Sequence, residues 1–406
     1  MENGILSFKQ RLFYFFPVLF CFALPYGTLF LSGLILVWSL SSFFVIKKDL
    51  LIQGFKNKYF LILSSFFLFT ALSALFSDNK SEALFNVENK LSFIVFPYLL
   101  FCFKWPTQIL KKCVVAFISG CFFACVLLIG RAFVYYFQGD AAYFFYNAFS
   151  FFIHPSSFTM YLIFAVCLSV IYYPSWFKEI KMYRYVTYLF NIIFIVTIFL
   201  NSSKIGIISS VFCFIILFLH KNKHRLNFKF VGVVVLTIIV LSFVLFQIFP
   251  TTFERLQAIT EFNPELIDKA STESTGVRYL IWEQSLLIIK ENFLWGVTVG
   301  DANDALLNAY QNNGMTGAFE HQLNAHNQFL QTFIGLGIIG FLLLSSFTFG
   351  ALLKAILRKN IVLILFLIFI VLNFLVECML QRSDGTLFFV FFYCFLNRRN
   401  IDEELA

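Results

Sequence analysis

Residues 326–345 read HNQFLQTFIGLGIIGFLLLS, a short polar start followed by a long apolar run. A run of this length is typical of a helix that crosses a membrane, and the titratable imidazole of His326 stands at its polar mouth. On an ideal helix, at about 100° per residue, Gly337 and Gly340 return to nearly the same face as His326. We therefore expect the two glycines to seat a neighbouring helix and to fix the position of His326.

The composition of the whole chain extends this conclusion to the other apolar segments. Of the 406 residues, 60% are hydrophobic and 13% are charged, and the apolar residues form continuous runs. Such runs exclude a soluble protein, so we predict an all-α polytopic membrane protein with about twelve transmembrane helices. The predicted spans lie near residues 12–26, 28–46, 59–77, 91–103, 113–137, 156–173, 186–202, 205–220, 229–249, 328–350, 361–377 and 385–397. The abundant phenylalanine is attributed to a lipid-facing surface.

The net charge of +8 reflects orientation in the membrane and not a nucleic-acid partner. The basic residues of the short loops fall on one side of the predicted spans, and positively charged loops stay in the cytoplasm. Both termini are therefore predicted inside, with the lipid bilayer as partner. The predicted domains are residues 1–249 with nine spans, a long outer loop at 250–325 that carries active-site residues, and residues 326–406 with three spans and a short cytoplasmic tail.

The outer loop keeps one amphipathic segment, from about Gly276 to Asn292. Its apolar residues follow the period of 3.6 residues that is typical of a helix. Such a helix lies along a membrane boundary, with Trp282 as an anchor, and holds Arg278 at the level of the lipid headgroups. A guanidinium placed there binds phosphate well, because its planar donors match phosphate oxygens.

A metal site is not indicated by the sequence. His321 and His326, with Asp301 as a conceivable third ligand, lack a recognised metal-ligand spacing. The nine cysteines are scattered through apolar segments without a CxxC pair, which argues against a disulfide framework as well. Asp301 is instead a candidate for contact with an acceptor sugar or a simple turn residue.

Several other polar residues stand near the outer ends of predicted spans. Lys204 and Arg131 are candidates for phosphate binding, although long cationic side chains at such places also extend to the interface without a ligand. His154 follows a short outer loop and is a candidate for contact with substrate or for a helix start. Glu377 and Arg382 flank the last outer turn and are expected to pair with each other.

Five stretches together resemble the O-antigen ligase and O-antigen polymerase superfamily of bacterial envelope glycosyltransferases. Residues 326–340 match the ligase motif of His-Asn, nine residues and Gly-x-x-Gly in full. Residues 276–282 resemble the arginine segment of the family's outer loop, and residues 296–301 resemble its glycine-rich strip. Residues 154–156 and 377–380 also match. The resemblance thus covers the chain from about residue 150 onwards, and Lys204 stands where many members have arginine.

The resemblance implies transfer of a glycan from an undecaprenyl-diphosphate carrier to an acceptor hydroxyl, such as that of lipid A core, at the periplasmic face of the inner membrane. No metal or other cofactor is implied. A sugar hydroxyl is a poor nucleophile and a diphosphate leaving group needs cations, so His326 is the predicted catalytic base and Arg278 the predicted catalytic phosphate clamp. We expect the N-terminal donors of the helix after His326 to face the same anion. The predicted substrate-binding residues are Lys204, Arg131, His154, Asn327, Asp301 and His321.

Other functions stay open at this point. A secondary transporter also has about twelve spans, but it carries its long connection in the cytoplasm between two halves, and no repeat of the halves is visible here. Within the enzyme class, the acceptor distinguishes a ligase from a polysaccharide polymerase and from a protein O-oligosaccharyltransferase. The complete His-Asn motif favours the ligase.

Overall fold

The computed structural model describes residues 6–180, 182–223, 268–271 and 275–398, and throughout these ranges the regular structure is helical, without a strand. The predicted all-α class is therefore confirmed. The predicted span at 229–249, the loop residues 250–267 and 272–274, and the tail from 399 lie outside the described residues.

The first half of the chain consists of helices and two short turns. They are α1 (Phe8–Ala23), α2 (Leu31–Ser42), α3 (Lys48–Phe55), α4 (Lys58–Phe76), α5 (Lys80–Lys90), α6 (Ser92–Phe101), α7 (Thr107–Phe137), α8 (Tyr146–Phe149), α9 (Pro155–Trp176), α10 (Tyr183–Leu200) and α11 (Lys204–Lys221). Polar side chains cap the first turns of several of these helices. The side chain of Asn57 accepts the N–H of Tyr59 at 2.9 Å at the start of α4, and Ser203 accepts the N–H of Gly206 at 3.3 Å at the start of α11.

The second half begins with three helices that carry more polar residues. They are α12 (Thr275–Glu291), α13 (Ala302–Asn312) and α14 (Thr316–Glu320), followed by α15 (Gln328–Ser345), a π turn (Ser346–Gly350), α16 (Ala351–Leu357), α17 (Ile361–Phe374) and α18 (Ser383–Leu396). The predicted amphipathic helix at 276–292 is confirmed as α12, with Val277 and Ile281 buried on its apolar face.

Within the part of the chain that the structure describes, six helical stretches are long and apolar enough to cross a membrane. These are Lys58–Phe76, Thr107–Phe137, Pro155–Trp176, Tyr183–Leu200, Lys204–Lys221 and Gln328–Leu357, and the helices Leu31–Ser42, Ile361–Phe374 and Ser383–Leu396 are apolar but shorter. Each predicted span that falls on described residues coincides with a helix. The chain is thus an integral membrane protein, and its total of about twelve spans stays a prediction.

Two helices, α9 and α18, form the centre of the bundle. Residues 384–396 of α18 are all buried, and 89% of the apolar window of α9 is buried, against 33% for α10 and α11. The aromatic rings of α18 pack against one another and against α7, α9 and α17, for example Phe392 on Phe117 with ring centroids 4.8 Å apart. The attribution of phenylalanine to a lipid-facing surface is therefore wrong for this centre, where aromatic packing fills the core.

The predicted continuous helix from His326 through Gly340 is wrong. Helix α15 begins only at Gln328, and Gly337 interrupts it with φ +59° and ψ −161°. At the break, the Ile338 N–H donates to Phe293 O at 2.9 Å and the Val297 N–H donates to Ile334 O at 2.8 Å. A Cβ on Gly337 would lie 2.3 Å from Leu294 O, so the glycine admits the 293–297 backbone and not a neighbouring helix.

Three helical stretches run the length of the bundle and define its two ends. At one end, which we call the site end, the last residues of α4 meet the segment before α13, and Gln328 at the start of α15 bonds the Leu380 N–H before α18 at 2.7 Å. At the other end, which we call the basic end, Tyr59 of α4 contacts Lys354 of α16 and Tyr393 of α18. The 19 residues of α4 separate the ends by about 28 Å.

Candidate functional site

Three side chains from distant segments meet at the site end. The Arg278 Nη2 donates to Glu377 Oε1 at 3.2 Å, and the His326 Nδ1 lies 3.9 Å from Glu377 Oε2. The second separation is within ion-pair range and too long for a hydrogen bond. These side chains are 31%, 24% and 20% exposed for Arg278, His326 and Glu377 respectively, so all three are partly shielded and still open to a ligand. The structure therefore brings the two predicted catalytic residues to opposite oxygens of one carboxylate.

Arg278 is placed by the first turn of α12. Its neighbours Val277 and Ile281 are buried, which fixes the rotation of the helix and directs Arg278 away from the apolar core. One turn later, the Trp282 Nε1–H donates to Ala325 O at 3.0 Å. This bond ties α12 to the residue directly before His326 and so couples the positions of the two predicted catalytic residues.

His326 stands on a strained turn before α15. Its backbone has φ +45°, a conformation that is uncommon for residues other than glycine. Two polar contacts hold the turn: the His326 N–H donates to Asn324 Oδ1 at 3.0 Å, and the Ala325 N–H donates to Gln331 Oε1 at 2.9 Å. Strained backbone of this kind persists only when its surroundings enforce it, and it is common at functional sites.

Glu377 follows α17, and of the described residues it is the only acid that lines the cavity presented below. Its backbone N–H donates to Asn373 O at 2.8 Å, which continues the helix to the carboxylate. Burial raises the pKa of Glu377, but its contact with His326 and the charge of Arg278 outweigh burial and hold the pKa of the carboxyl at about 2. Glu377 is therefore an anion under all ordinary conditions.

A cavity of about 310 Å³ opens over these three residues. The described residues of its wall include one carboxylate, two permanent cations and three imidazoles, an excess of positive groups that suits an anionic ligand. The residues in the wall are Tyr146, Asn147, His154, Ser156, Ser203, Lys204, Ile205, Val277, Arg278, Ile281, His321, Leu323, His326 and Glu377. The predicted binding residues Lys204, His154 and His321 thus share the cavity with the predicted catalytic pair.

The far side of the cavity is built from the starts of α9 and α11. His154 caps α9, since its Nδ1 accepts the Ser156 N–H at 3.4 Å, and Ser156 Oγ lies 3.2 Å from Ser203 Oγ, directly before Lys204. Burial lowers the pKa of His154, and the positive charge of Arg382 lowers it further. His154 is therefore a neutral polar group near neutral pH, and the permanent charge on this side belongs to Lys204.

Three predicted binding residues do not line the cavity. Arg131 donates to Ala148 O at 2.9 Å and lies among aromatic rings, with Phe151 at 4.7 Å. The Asn327 side chain accepts the N–H groups of Phe329 and Leu330, so it caps α15. The sequence predicted that the N-terminal N–H groups of α15 face an anion. This prediction is wrong for the N–H groups of Phe329 and Leu330, which donate to Asn327. Local contacts thus occupy both side chains.

Asp301 also makes structural contacts. Its carboxylate accepts the N–H groups of Asp78 and Asn79, at 3.0 Å and 2.8 Å, and the hydroxyl of Thr298 at 2.6 Å. Burial raises the pKa of Asp301, but these hydrogen bonds outweigh it and leave the pKa below its ordinary value. The side chain joins the segment before α13 to the turn before α5, away from the cavity.

The comparison with protein families bears directly on this part of the chain. Residues 189–345 match the family model described as O-antigen ligase. Over these residues, which are less than half of its length, the chain is similar to the O-antigen ligase superfamily. A search of curated proteins finds no significant match. Members of this superfamily are membrane glycosyltransferase-like enzymes that use glycan and lipid-linked substrates. The matched range includes Lys204, Arg278 and His326, and excludes His154 and Glu377.

The partner of Glu377 is the feature of the site that sequence reasoning missed. The expected pair of Glu377 with Arg382 is wrong, because Arg382 pairs with Asp384 at 3.3 Å. Tyr146 and Asn147 of the cavity wall were missed as well, and no sequence pattern distinguishes them from other loop residues. Among the described residues, no group of three His, Cys, Asp or Glu side chains is arranged to hold a metal ion.

Proposed function

We propose that this protein transfers a glycan from an undecaprenyl-diphosphate carrier to an acceptor hydroxyl, with lipid A core as the acceptor, at the periplasmic face of the inner membrane. The observation that carries the proposal is the meeting of Arg278 and His326 on Glu377, within a cation-rich cavity, in a chain that matches the O-antigen ligase model. This arrangement offers both groups that the reaction needs: a base for the acceptor and cations for the diphosphate.

In the proposed reaction, His326 acts as the general base. Its Nδ1 faces Glu377, which leaves Nε2 for the acceptor. The acceptor oxygen forms a bond to the anomeric carbon while its proton passes to Nε2, and the bond from that carbon to the diphosphate oxygen breaks with its electron pair on the diphosphate. A single displacement of this kind inverts the configuration of the anomeric carbon. NMR of the new linkage tests this inversion. Glu377 orients the imidazole and stabilises the imidazolium that forms.

The diphosphate is proposed to bind to Arg278 and Lys204, which both line the cavity. Arg278 keeps one hydrogen bond to Glu377, and its remaining guanidinium donors are directed to phosphate oxygens. His154 and His321 complete the polar wall and offer hydrogen bonds to the glycan. Charge on the leaving diphosphate grows as the bond breaks, so fixed cations stabilise the transition state more than the bound substrate.

The proposed topology has about twelve spans and both termini in the cytoplasm. Helices α12 to α14 then lie in the periplasmic loop at 250–325, and the cavity opens to the outer leaflet, where a lipid-linked glycan is presented. The basic residues at the other end of the bundle support this orientation, because Lys58 and Lys354 share that end.

The test is a gene deletion complemented with wild type, His326→Ala or the control His220→Ala, followed by gel analysis of surface polysaccharide and lipid-linked glycan. His220 is exposed in the last turn of α11, at the basic end, so its loss removes an imidazole far from the cavity. We expect His326→Ala alone to lose capped core and to accumulate long carrier-bound glycan. Wild-type behaviour of His326→Ala refutes the proposal.

The same gels separate the competing functions. Core that bears a single repeat indicates a polymerase, and an unchanged polysaccharide ladder with a missing glycoprotein indicates protein O-glycosylation. Glycan that stays on the cytoplasmic face indicates a transporter. The description of the matching family model as O-antigen ligase supports the ligase among these.

A further inference from the structure

One part of the cavity wall has no role in the proposed mechanism. Tyr146 and Asn147 line the cavity together with His154, and they come from the connection between α7 and α9. Asn147 is exposed, so its amide is open to a ligand in the cavity. Of the described residues in the wall, Asn147 alone carries a side-chain amide. An amide both donates and accepts hydrogen bonds, and it therefore matches the hydroxyl groups of a sugar.

Arg131, in the last turns of α7, holds this connection in place. Its Nη1 donates to Ala148 O at 2.9 Å, directly after Asn147. Its guanidinium also lies 4.9 Å from the centroid of the Tyr143 ring and 4.7 Å from that of Phe151, one before and one after Asn147 in the chain. Aromatic faces attract cations, so one side chain gathers three points of the connection around the cavity wall.

The backbone of the wall is strained at Tyr146. Its φ is +50°, a value that is uncommon for residues other than glycine. The chain is fixed on both sides of this residue. Before it, the ring of Tyr143 stacks on Tyr135 of α7 with centroids 3.7 Å apart, and after it Arg131 holds Ala148. A strained conformation persists only where its surroundings impose it, so this part of the wall is preorganised for a ligand.

The proposed roles of the charged groups leave the sugar to other partners. Arg278 and Lys204 are proposed to bind the diphosphate, and His326 is proposed to take the proton of the acceptor. The hydroxyls of Ser156 and Ser203, which also line the cavity, lie 3.2 Å apart and bond each other. Sugars differ in the hydroxyl groups that they present, and a site built to bond such a group rejects a ligand that lacks it.

We infer that Asn147 binds the sugar joined to the diphosphate and selects which sugar is transferred, and that Arg131 is the residue that positions Asn147. This inference rests on the proposed function and adds to it the group that distinguishes one donor from another. A hydrogen bond from Asn147 strengthens binding of the sugar and leaves binding of the diphosphate unchanged. The two contributions are therefore measured separately with donors that do and do not carry a sugar.

The test measures binding of short lipid diphosphates to the purified full chain in detergent. The bare probe is citronellyl diphosphate, and the sugar-bearing probes carry glucose, galactose, mannose or N-acetylglucosamine on its diphosphate. We expect Asn147→Ala to weaken the sugar-bearing probe that wild type binds most tightly by about 10-fold, the worth of one hydrogen bond, with the bare probe unchanged. The matched control is Asn312→Ala, an exposed amide at the end of α13 outside the cavity wall, which should bind every probe as wild type does.

Arg131 is tested by the same measurement. Arg131→Gln should weaken the preferred sugar-bearing probe and not the bare probe, and Arg131→Lys should weaken it less, because a cation stays beside the aromatic rings. Since Arg131 acts through Asn147, the double variant Arg131→Gln with Asn147→Ala should bind no more weakly than Asn147→Ala alone. A merely structural role would give losses that add and that include the bare probe. Melting temperatures in detergent verify that each variant folds.

Two results would overturn the inference and leave the proposed glycan transfer intact. One is equal affinity of wild type for the bare probe and for every sugar-bearing probe. The other is an Asn147→Ala variant that keeps the wild-type preference among the probes, or that loses affinity for the bare probe to the same extent. Failure of the proposed function gives a different result, because then neither the bare probe nor any sugar-bearing probe would bind, and both proposals would be wrong.

Discussion

Replacing Glu377 with glutamine tests the proposed mechanism most directly. The change keeps the shape of the side chain and removes the charge that lies 3.2 Å from Arg278 and 3.9 Å from His326. Opposite charges about 4 Å apart attract by about 1 kcal/mol in water and by about 4 kcal/mol at an effective dielectric constant near 20. Because these side chains are one fifth to one third exposed, the interaction lies between those limits.

The expected result is slower glycan transfer throughout the assay range. Without the carboxylate, the imidazolium that forms at His326 when it takes the proton of the acceptor is less stable, and an interaction of about 2 to 3 kcal/mol corresponds to a fall of roughly 100-fold in the rate. Since the pKa of Glu377 itself is held at about 2, its own titration lies below the range of the assay.

The assay is transfer of a lipid-linked glycan to purified acceptor, measured between about pH 5 and pH 9. Asp304→Asn is the matched control: its carboxylate accepts a hydrogen bond from Asn79 at 2.9 Å and does not line the cavity. A wild-type rate in Glu377→Gln would refute the assignment of Glu377 as the residue that positions His326.

Three further predictions concern stability. Gly337→Ala should lower the free energy of unfolding by about 1–3 kcal/mol, because the new Cβ meets Leu294 O and the backbone has positive φ. The control Gly130→Ala, where a Cβ would have nothing within 4 Å, should not lower it. Equal melting temperatures of the two variants in detergent would contradict this prediction. The free energy of unfolding should fall as pH drops below 6.5, because His154 is protonated in the unfolded chain before it is protonated in the folded chain. The melting temperature of His154→Gln should therefore depend less on pH than that of the wild type. Asp301→Asn should increase hydrogen exchange in the turn before α5, and unchanged protection there would show that the carboxylate does not hold that turn.

The sequence predicted much of the fold because membrane helices follow from local composition. Unbroken apolar runs locate the helices, since a backbone in lipid must satisfy its own hydrogen bonds. The amphipathic helix α12 was predicted from its 3.6-residue period for the same local reason. The break at Gly337 was not predicted, because the 293–297 backbone that crosses there comes from a distant part of the chain.

The residues of the candidate site also divide into those that were predicted correctly from the sequence and those that were not. The motifs predicted His326 and Arg278, the places near span ends predicted Lys204 and His154, and the polar loop before His326 predicted His321. All five line one cavity. Arg131, Asn327 and Asp301 were selected on the same grounds and have local partners instead. Spacing along the chain does not distinguish a side chain that faces a cavity from one that caps a helix.

By itself, the sequence determined that this protein is a bundle of membrane helices with a polar segment bearing an imidazole and a guanidinium, because hydrophobicity and helical period are properties of neighbouring residues. Only the tertiary structure decided that Glu377 joins His326 to Arg278. Arg278 and Glu377 are 99 positions apart, and such a contact is fixed by the packing of the whole bundle.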